Sequence, residues 1–512
     1  MVEKVSGGVQ PLLPDLVRWR DWTQKRAVTI PSPVPALSAL APSAVWRHFA
    51  TLCSIPRASK AEGAVRDAVE SWARGRGLAT RVDGVGNLVI RKPARSGREA
   101  AHGVILQCHL DMVTQKNSDS AHDFSRDPIR AVVQDGWVVA PETTLGADNG
   151  LGVALALAAL EDETLAHGPL EVLLTIDEET GMTGAHGLEP HALEGRLMLN
   201  LDTEEWGEFY LGCAGGIDVD VTETLRPEPV PAGHVARSLC VRGLQGGHSG
   251  INIHEGRGNA IRALVGVLQR LGDGIRLAKL DGGTARNAIP REATAVVVMS
   301  VEAASKLTAR LEVEQARLRR ELGDKEAGLE LVSAPAAAEL LVPVDAAQRW
   351  LDALGTAPFG VARMSADVPG VVETSNNLGV VRLAPDKGHA NLMVRSLVDA
   401  EFLALGRAIA AHFEARGIPA QLSGEYPGWK PNPSSKLLST CQQAYRDTFH
   451  ADSHVRVIHA GLECGIIGAK YPGLDTVSFG PTIRGAHAPG ERVEIASVGN
   501  CYRLLCTILE RV

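Results

Sequence analysis

The chain has 512 residues, 45% apolar and 22% charged, a composition of globular rather than disordered or membrane-embedded proteins, and at roughly 100 to 200 residues per domain it predicts two to four domains. Its net charge of −8 is spread without a basic block, so no nucleic acid partner is expected. No apolar run reaches the roughly 18 residues of a membrane span, no secretion signal is read, and eight cysteines without CxxC pairs read as buried thiols, so a reducing cytoplasm is expected and no membrane partner.

Residues 1–43 carry RWRDW and several prolines and read as an extension with no assigned role. Helical periodicity begins near Ala44 in AVWRHFATLC and returns in GAVRDAVESWARGRG, which ends on the glycine expected past a helix. Strands are expected in LATRVDG, NLVIRKP, GVILQCHLDMV, LEVLLTIDEE and RLMLNLD, with an alanine- and leucine-rich helix from Asn149 to Leu160. Nearly continuous Val, Ile and Leu runs alternating with helices predict an α/β fold, a mixed, mostly parallel sheet with helices on both faces. Functional groups should then sit at strand ends.

After GCAGG the pattern changes to α+β, and residues 216–424 read as two similar units, about 216–336 and 337–424. The first runs through SLCVRGL, the helix NAIRALVGVLQRL, IRLAKL, TAVVVMSV, a helix from Ala304 to Leu322 and LELVSA. The second has a helix from Ala346 to Leu354, then VVRLAP, ANLMVRSL, the helix FLALGRAIAAHFEARG and PAQLSG. From residue 425 the α/β pattern returns with the helix SSKLLSTCQQAYRDTF, strands VRVIHAG and TVSFGP, and a last helix from Ala496 to Leu509. A catalytic domain of residues 44–215 and 425–512, split by an inserted lid, is the expected organisation.

Five motifs carry chemistry. In HLDM, His109 and Asp111 follow an apolar strand and alternate onto one face, where His109 can ligate a metal while Asp111 accepts the proton of its other ring nitrogen. In TLGADNG, Asp148 opens a helix, as a simple cap or as a carboxylate bridging two cations. In LLTIDEETG, three acids follow a buried-type strand; Glu179 is assigned to a metal and Glu178 to a general base taking a proton from water. MLNLDTEE delivers Asp202, and GAHAPGERV delivers His487 from a loop. Each has an ordinary structural explanation alone, but together these residues form the imidazole and carboxylate set favoured by zinc, manganese or cobalt.

The stretches LQCHLDMV, TTLGADNG, EVLLTIDEETGMTGA, LNLDTEE, GCAGGID and GAHAPGE resemble the M20 metallopeptidases, more narrowly their aminoacyl-histidine dipeptidase branch, from about Ala44 to the C-terminus. The resemblance implies a zinc-exopeptidase type of catalytic domain with two divalent metal ions, zinc first and cobalt or manganese as alternatives. Asp148 would bridge them, with His109 and Asp202 on one and Glu179 and His487 on the other. Glu178 would be the base, Asp111 the orienter of His109, and a cis peptide would follow Asp148. His248 in GGHSG would stabilise the oxyanion from the lid. Arg286 and Asn287 in GGTARNAIP, and Arg395 in MVRSL, match further lid motifs; a guanidinium can grip a dipeptide carboxylate, and Arg395 is preferred, with a structural salt bridge as the alternative for either arginine.

Glu463 in HAGLECGII is a candidate for the substrate α-amino group, with a buried structural acid as the alternative, whereas His459 and Cys108 read as packing residues. The expected activity is hydrolysis of dipeptides with a free amino terminus, C-terminal histidine being one candidate preference. The rival within enzymes is an amidohydrolase of N-acyl amino acids or of other dipeptides such as cysteinylglycine or β-alanyl peptides. A non-enzymatic binding protein is disfavoured because all five ligands and the base are present. The duplicated lid leaves a homodimer and a monomer with its lid in cis both open.

Overall fold

The computed structural model describes residues 37–512 except 118, 367 and 369, so most of the expected extension lies outside the described residues. Leu37 is already fully buried against the first core, which places the start of packed chain ahead of Ala44. Among the described residues there are twelve α-helices and two large sheets.

The first sheet has eight strands in the order Ala79–Val82, Leu88–Lys92, Leu170–Thr175, Val104–His109, Leu197–Asn200, Asp475–Ser478, Glu208–Cys213, His454–Ile458. Its four central strands run parallel to one another, the first two pair antiparallel, and the last two are parallel to each other but join the centre by an antiparallel contact. The fold is therefore mixed α/β with a mostly parallel sheet. The continuous apolar runs arise because alternate residues enter different cores: Val104, Leu106 and Cys108 face one cluster, Ile105 the other. Helices Ser43–Cys53, Ala147–Glu161, Lys436–Phe449 and Ile495–Arg511 cover the first face. Thr183–Gly187 and Glu463–Lys470 cover the opposite one.

The second sheet is antiparallel, in the order Glu330–Ala336, His234–Arg242, Ala293–Ser300, Arg276–Gly282, Val372–Leu383, Lys387–Ser396, Gly215–Thr224, Ala420–Tyr426, with Gly360–Met364 paired to Val372–Leu383 as its ninth strand. Helices Ala260–Leu271, Val301–Leu322, Val344–Thr356 and Asp399–Glu414 share one core with it, anchored by Trp350, Phe402 and Phe413. Each half of the sheet has four principal strands and two helices. Gly215–Thr224 precedes the first half in the chain yet pairs with Lys387–Ser396 and Ala420–Tyr426 of the second. It supplies the opening strand that residues 337–424 lack. Periodicity cannot reveal this, because a strand's partners are set by register across the fold.

A four-stranded sheet of very short strands, Val132–Gln134, Trp137–Val139, Arg492–Glu494 and Ile483–Arg484, was not expected. Strands of two or three residues leave no readable alternation. Its position matters, because it brings the loop bearing His487 against the turn bearing Asp148. No described helix is long and apolar enough to cross a membrane. All eight cysteines are free, six of them buried, with Cys240 and Cys506 half-buried.

Candidate metal centre and its cleft

The parallel strands end together, and the chemistry sits on that edge. Along Val104–His109 the side chains facing the second core are Ile105, Gln107 and His109, so an apolar position gives way to a buried amide and then to the imidazole. His109 donates its backbone N–H to Asn149 Oδ1 at 3.3 Å, and Asn149 Nδ2 donates to the Leu201 carbonyl at 2.6 Å. The strand carrying His109, the helix opening beside Asp148 and the strand leading to Asp202 are thereby joined through one buried amide.

Asp148 faces two imidazoles with separate oxygens. Its Oδ1 lies 3.2 Å from His109 Nε2, which is 3.3 Å from Asp202 Oδ1. Its Oδ2 lies 3.1 Å from His487 Nε2, itself 3.1 Å from Glu179 Oε2. Three trios of ligand atoms are each compact enough to hold a cation: His109 with Asp148 and Asp202, Asp148 with Glu179 and His487, and His109 with Glu178 and Glu179; the first two share Asp148. The peptide Asp148-Asn149 is cis. Behind His109, Asp111 Oδ1 sits 3.3 Å from Nδ1. Asp111 also accepts from Ser59 Oγ at 2.7 Å and from the backbone N–H of Glu178 and Glu179 at 3.1 and 3.2 Å. One carboxylate thus lies against the histidine ring and anchors the segment carrying both glutamates.

The electrostatics call for positive charge. Burial, then neighbouring acids, push Glu178 well above the usual carboxylate range, and burial raises Asp202 to about 6 against the pull of His109. Burial opposes a proton on His109, yet Asp202, Asp111 and Asp148 outweigh it and raise the imidazole well above its ordinary value. His487 is likewise lifted to about 11, its burial overcome by Asp148 and Glu179. Glu179 Oε1 and Asp202 Oδ1 are buried without a hydrogen-bond partner. Orphaned carboxylate oxygens beside imidazole nitrogens are a donor set that fits divalent cations.

These groups border a cavity of about 900 Å³ whose other lining comes from residues 248–426 of the same chain: besides Glu178, Glu179 and His487 it is lined by His248 of the short strand Gly247–His248, by Asn287 and by Arg395 of the second sheet. His248 Nδ1 accepts from the backbone N–H of Gly250 and Ile251 at 3.2 and 3.0 Å, which leaves the ring proton on Nε2. Burial, then Arg395 and His487, lower its pKa to about 3, so the ring is a neutral donor. Gly250 is required here, because a Cβ would meet the His459 carbonyl oxygen at 1.8 Å. Arg395 is only 4% exposed; it donates to Tyr426 Oη at 2.7 Å and Ser249 Oγ at 3.4 Å, with no carboxylate partner among the described residues. Arg286 also lines the cavity but is ion-paired with Asp218. The Asn287 carbonyl accepts from Ser249 N–H at 2.7 Å.

Glu463 departs from the expected contact with substrate. It is fully buried at the start of its helix, accepting from Gln107 Nε2 at 2.6 Å and Thr175 Oγ1 at 2.5 Å, and does not line the cavity. Burial pushes its carboxyl to about 8. Glu463 follows the strand His454–Ile458 and opens the helix Glu463–Lys470, and its contacts are those of the alternative reading, a buried structural acid. His459 is packed, its Nε2 2.8 Å from Ser375 Oγ. Two charged groups were overlooked. Arg57, 2% exposed, donates to the carbonyls of Leu110 and Asp111 at 3.0 and 2.9 Å and of Gly146 at 2.5 Å. Gly146, at φ +68, has no room for a Cβ, which would lie 2.3 Å from that guanidinium. Glu491, in the same motif as His487, accepts from four backbone N–H groups of the Asp148 turn.

Residues 105–511 match peptidase family M20/M25/M40. The chain belongs to that family. The cytosol non-specific dipeptidase of Escherichia coli (strain K12) is 42% identical over 481 residues, 93% of this chain and 99% of that protein. The crystal structure of aminoacylhistidine dipeptidase from Vibrio alginolyticus is also 42% identical, with a TM-score of 0.77 over 93% of this chain and 98% of that one. The aminopeptidase PepT from Bacillus cereus ATCC 10987, at 15% identity and a TM-score of 0.54 over 92% and 98%, shares the fold. Similarity at full length to two dipeptidases makes this M20 chain a hydrolase of the metallopeptidase type.

Proposed function

We propose that the chain hydrolyses dipeptides with a free amino terminus through two divalent cations, zinc first and cobalt or manganese as alternatives. The observation that carries this reading is Asp148, whose two oxygens face separate imidazole and carboxylate pairs in one cleft. Asp148 is shared, His109 and Asp202 complete one site, and Glu179 and His487 the other. When bound, the cations supply Lewis acidity, acidifying water and polarising the scissile carbonyl.

The chain's own residues do the rest. Glu178, with proton affinity raised by burial, takes the proton of the attacking water and returns it to the leaving amine. Asp111 holds His109 in its tautomer. His248 offers a fixed Nε2–H to the oxygen that becomes negative, and its neutrality spares a proton exchange at that moment. Arg395, buried and without an acid partner, pairs with the substrate carboxylate, while Asn287 adds polar contact from the same wall. That pairing limits substrates to short ones, because the guanidinium stands opposite the metal face.

Residues 216–424 form the lid, its halves 216–336 and 337–424, with Gly215–Thr224 completing the second half. Residues 44–215 and 425–512 form the catalytic domain. Since His248 lines the cleft of its own chain, the lid acts in cis. The two 42%-identical dipeptidases support a cytoplasmic enzyme of broad dipeptide use that accepts C-terminal histidine.

The test is hydrolysis of a dipeptide panel, including Xaa-His, with and without chelator and after restoring zinc, cobalt or manganese, with Glu178→Ala as control. Activity that chelation abolishes and metal restores is expected. Full activity in the metal-stripped protein or in the variant refutes the mechanism, and cleavage of N-acylated substrates alone refutes the dipeptidase assignment.

A further inference from the structure

Glu491 is 1% exposed, and its carboxylate accepts four backbone N–H bonds in succession. Oε2 takes Leu145 at 2.7 Å and Gly146 at 2.9 Å; Oε1 takes Ala147 at 2.8 Å and Asp148 at 3.3 Å. Asp148 and Asn149 have non-helical backbone angles, so Leu145 to Asp148 form a turn ahead of the regular helix, and this remote acid satisfies the N–H donors of that turn. Capping alone would be a stabilising device. The placement of Glu491 adds more.

Glu491 closes the loop between the paired strands Ile483–Arg484 and Arg492–Glu494, the loop that carries His487 at φ +64. The same loop is bonded to the other segment through its backbone: Ala140 N–H donates to the Glu491 carbonyl at 3.1 Å, and Gly490 N–H to the carbonyls of Ala140 and Thr143 at 3.0 and 3.1 Å. The carboxylate therefore clamps the turn presenting Asp148 to the loop presenting His487. Those two residues are ligands in the trio with Glu179, whereas the trio of His109, Asp148 and Asp202 draws His109 and Asp202 from strand ends that Glu491 does not touch.

We infer that Glu491 is a positioning residue that governs the affinity of one cation site, that of Asp148, Glu179 and His487, more strongly than that of the His109 and Asp202 site, which shares only Asp148 with the clamp. The inference rests on the two-cation reading above. Outer partners of metal ligands govern affinity by about 10- to 100-fold, and the clamp holds two ligands of one site, Asp148 and His487, but only Asp148 of the other, so the larger effect falls on the first. In Glu491→Gln an amide replaces one carboxylate oxygen and turns N–H donors toward the N–H groups of the turn, opposing half of the clamp.

The experiment is titration of the metal-stripped full chain with Co²⁺, followed by calorimetry and by visible absorption, for the parent and for Glu491→Gln. The expected result is two Co²⁺ per chain in the parent. In the variant one site is held within about 3-fold and the other weakened about 10- to 100-fold, with dipeptide hydrolysis restored at excess Co²⁺. Equal weakening of both sites, or a lowered Tm with both affinities intact, overturns the inference in favour of a purely structural cap. Glu491→Asp, which keeps the charge and shortens the reach, should show the same selective loss in smaller measure, and serves where the glutamine variant does not fold. A parent that binds fewer than two Co²⁺ overturns the two-cation reading itself, an outcome visible in the parent titration alone.

Discussion

The two walls of the cleft are built on opposite plans. The wall at the strand ends is acid-rich and bonded from behind: Asp111, Asn149, Arg57 and Glu491 hold its side chains and turns. The facing wall offers donors instead, the Nε2–H of His248 and the guanidinium of Arg395, whose hydrogen-bond partners among the described residues are the hydroxyls of Tyr426 and Ser249. Excess negative charge suits resident cations; unsatisfied donors suit an anionic visitor. On the proposed reading the first wall holds the cations and the base, and the second meets the substrate carboxylate and the developing oxyanion.

This contrast can be broken at either wall. Glu178→Ala should give the largest loss, about 10²- to 10⁴-fold in kcat, with Co²⁺ stoichiometry kept; a smaller loss would move the base elsewhere. His248→Ala should lower kcat by about 10²- to 10³-fold with little change in KM, as expected for a group that meets the oxyanion only in the transition state. Arg395→Met should act on KM, raising it about 10- to 100-fold for dipeptides and far less for dipeptide amides. Equal effects on both substrates would remove the carboxylate role. Arg286→Met, already paired with Asp218, should change KM less than Arg395→Met does.

The smallest expected effect is on stability. Burial, then Arg395 and His248, hold His459 down at about 3, well below its ordinary 6.5. A depressed imidazole pKa means that the unfolded chain binds the proton more readily between those two values. Stability contributed by neutral His459 is therefore complete above about pH 6.5 and declines as pH falls toward 3, by at most ~1.4 kcal/mol per pH unit. His459→Asn should flatten the fall of Tm over that range. An unchanged slope would assign the acid sensitivity to other groups.

Much of this was readable in the residues. Apolar strands ending in His109, in the Glu178 and Glu179 pair and in Asp202 carry their own local signal, because a strand's period and its polar end lie within a few residues. The helices from Ser43, Ala260 and Lys436 were legible for the same reason. For Glu463 the residues left a substrate contact and a buried structural acid both open, because which groups it meets, Gln107 and Thr175, depends on segments far away in the chain. The small sheet that docks His487 consists of strands too short to show a period. Glu491 lay in a quoted motif, yet nothing in HAPGERV tells a surface acid from one that bonds four amides.

By itself the sequence determined the family, the α/β class with its α+β insertion, and the kinds of side chain available to hold cations, all from local pattern and residue chemistry. Only the tertiary structure decided that each oxygen of Asp148 meets a different histidine, that Gly215–Thr224 completes the far half of the second sheet, and that Glu491 clasps the Asp148 turn. Those facts depend on contacts between segments far apart in the chain, and such contacts are set by register and packing across the whole fold.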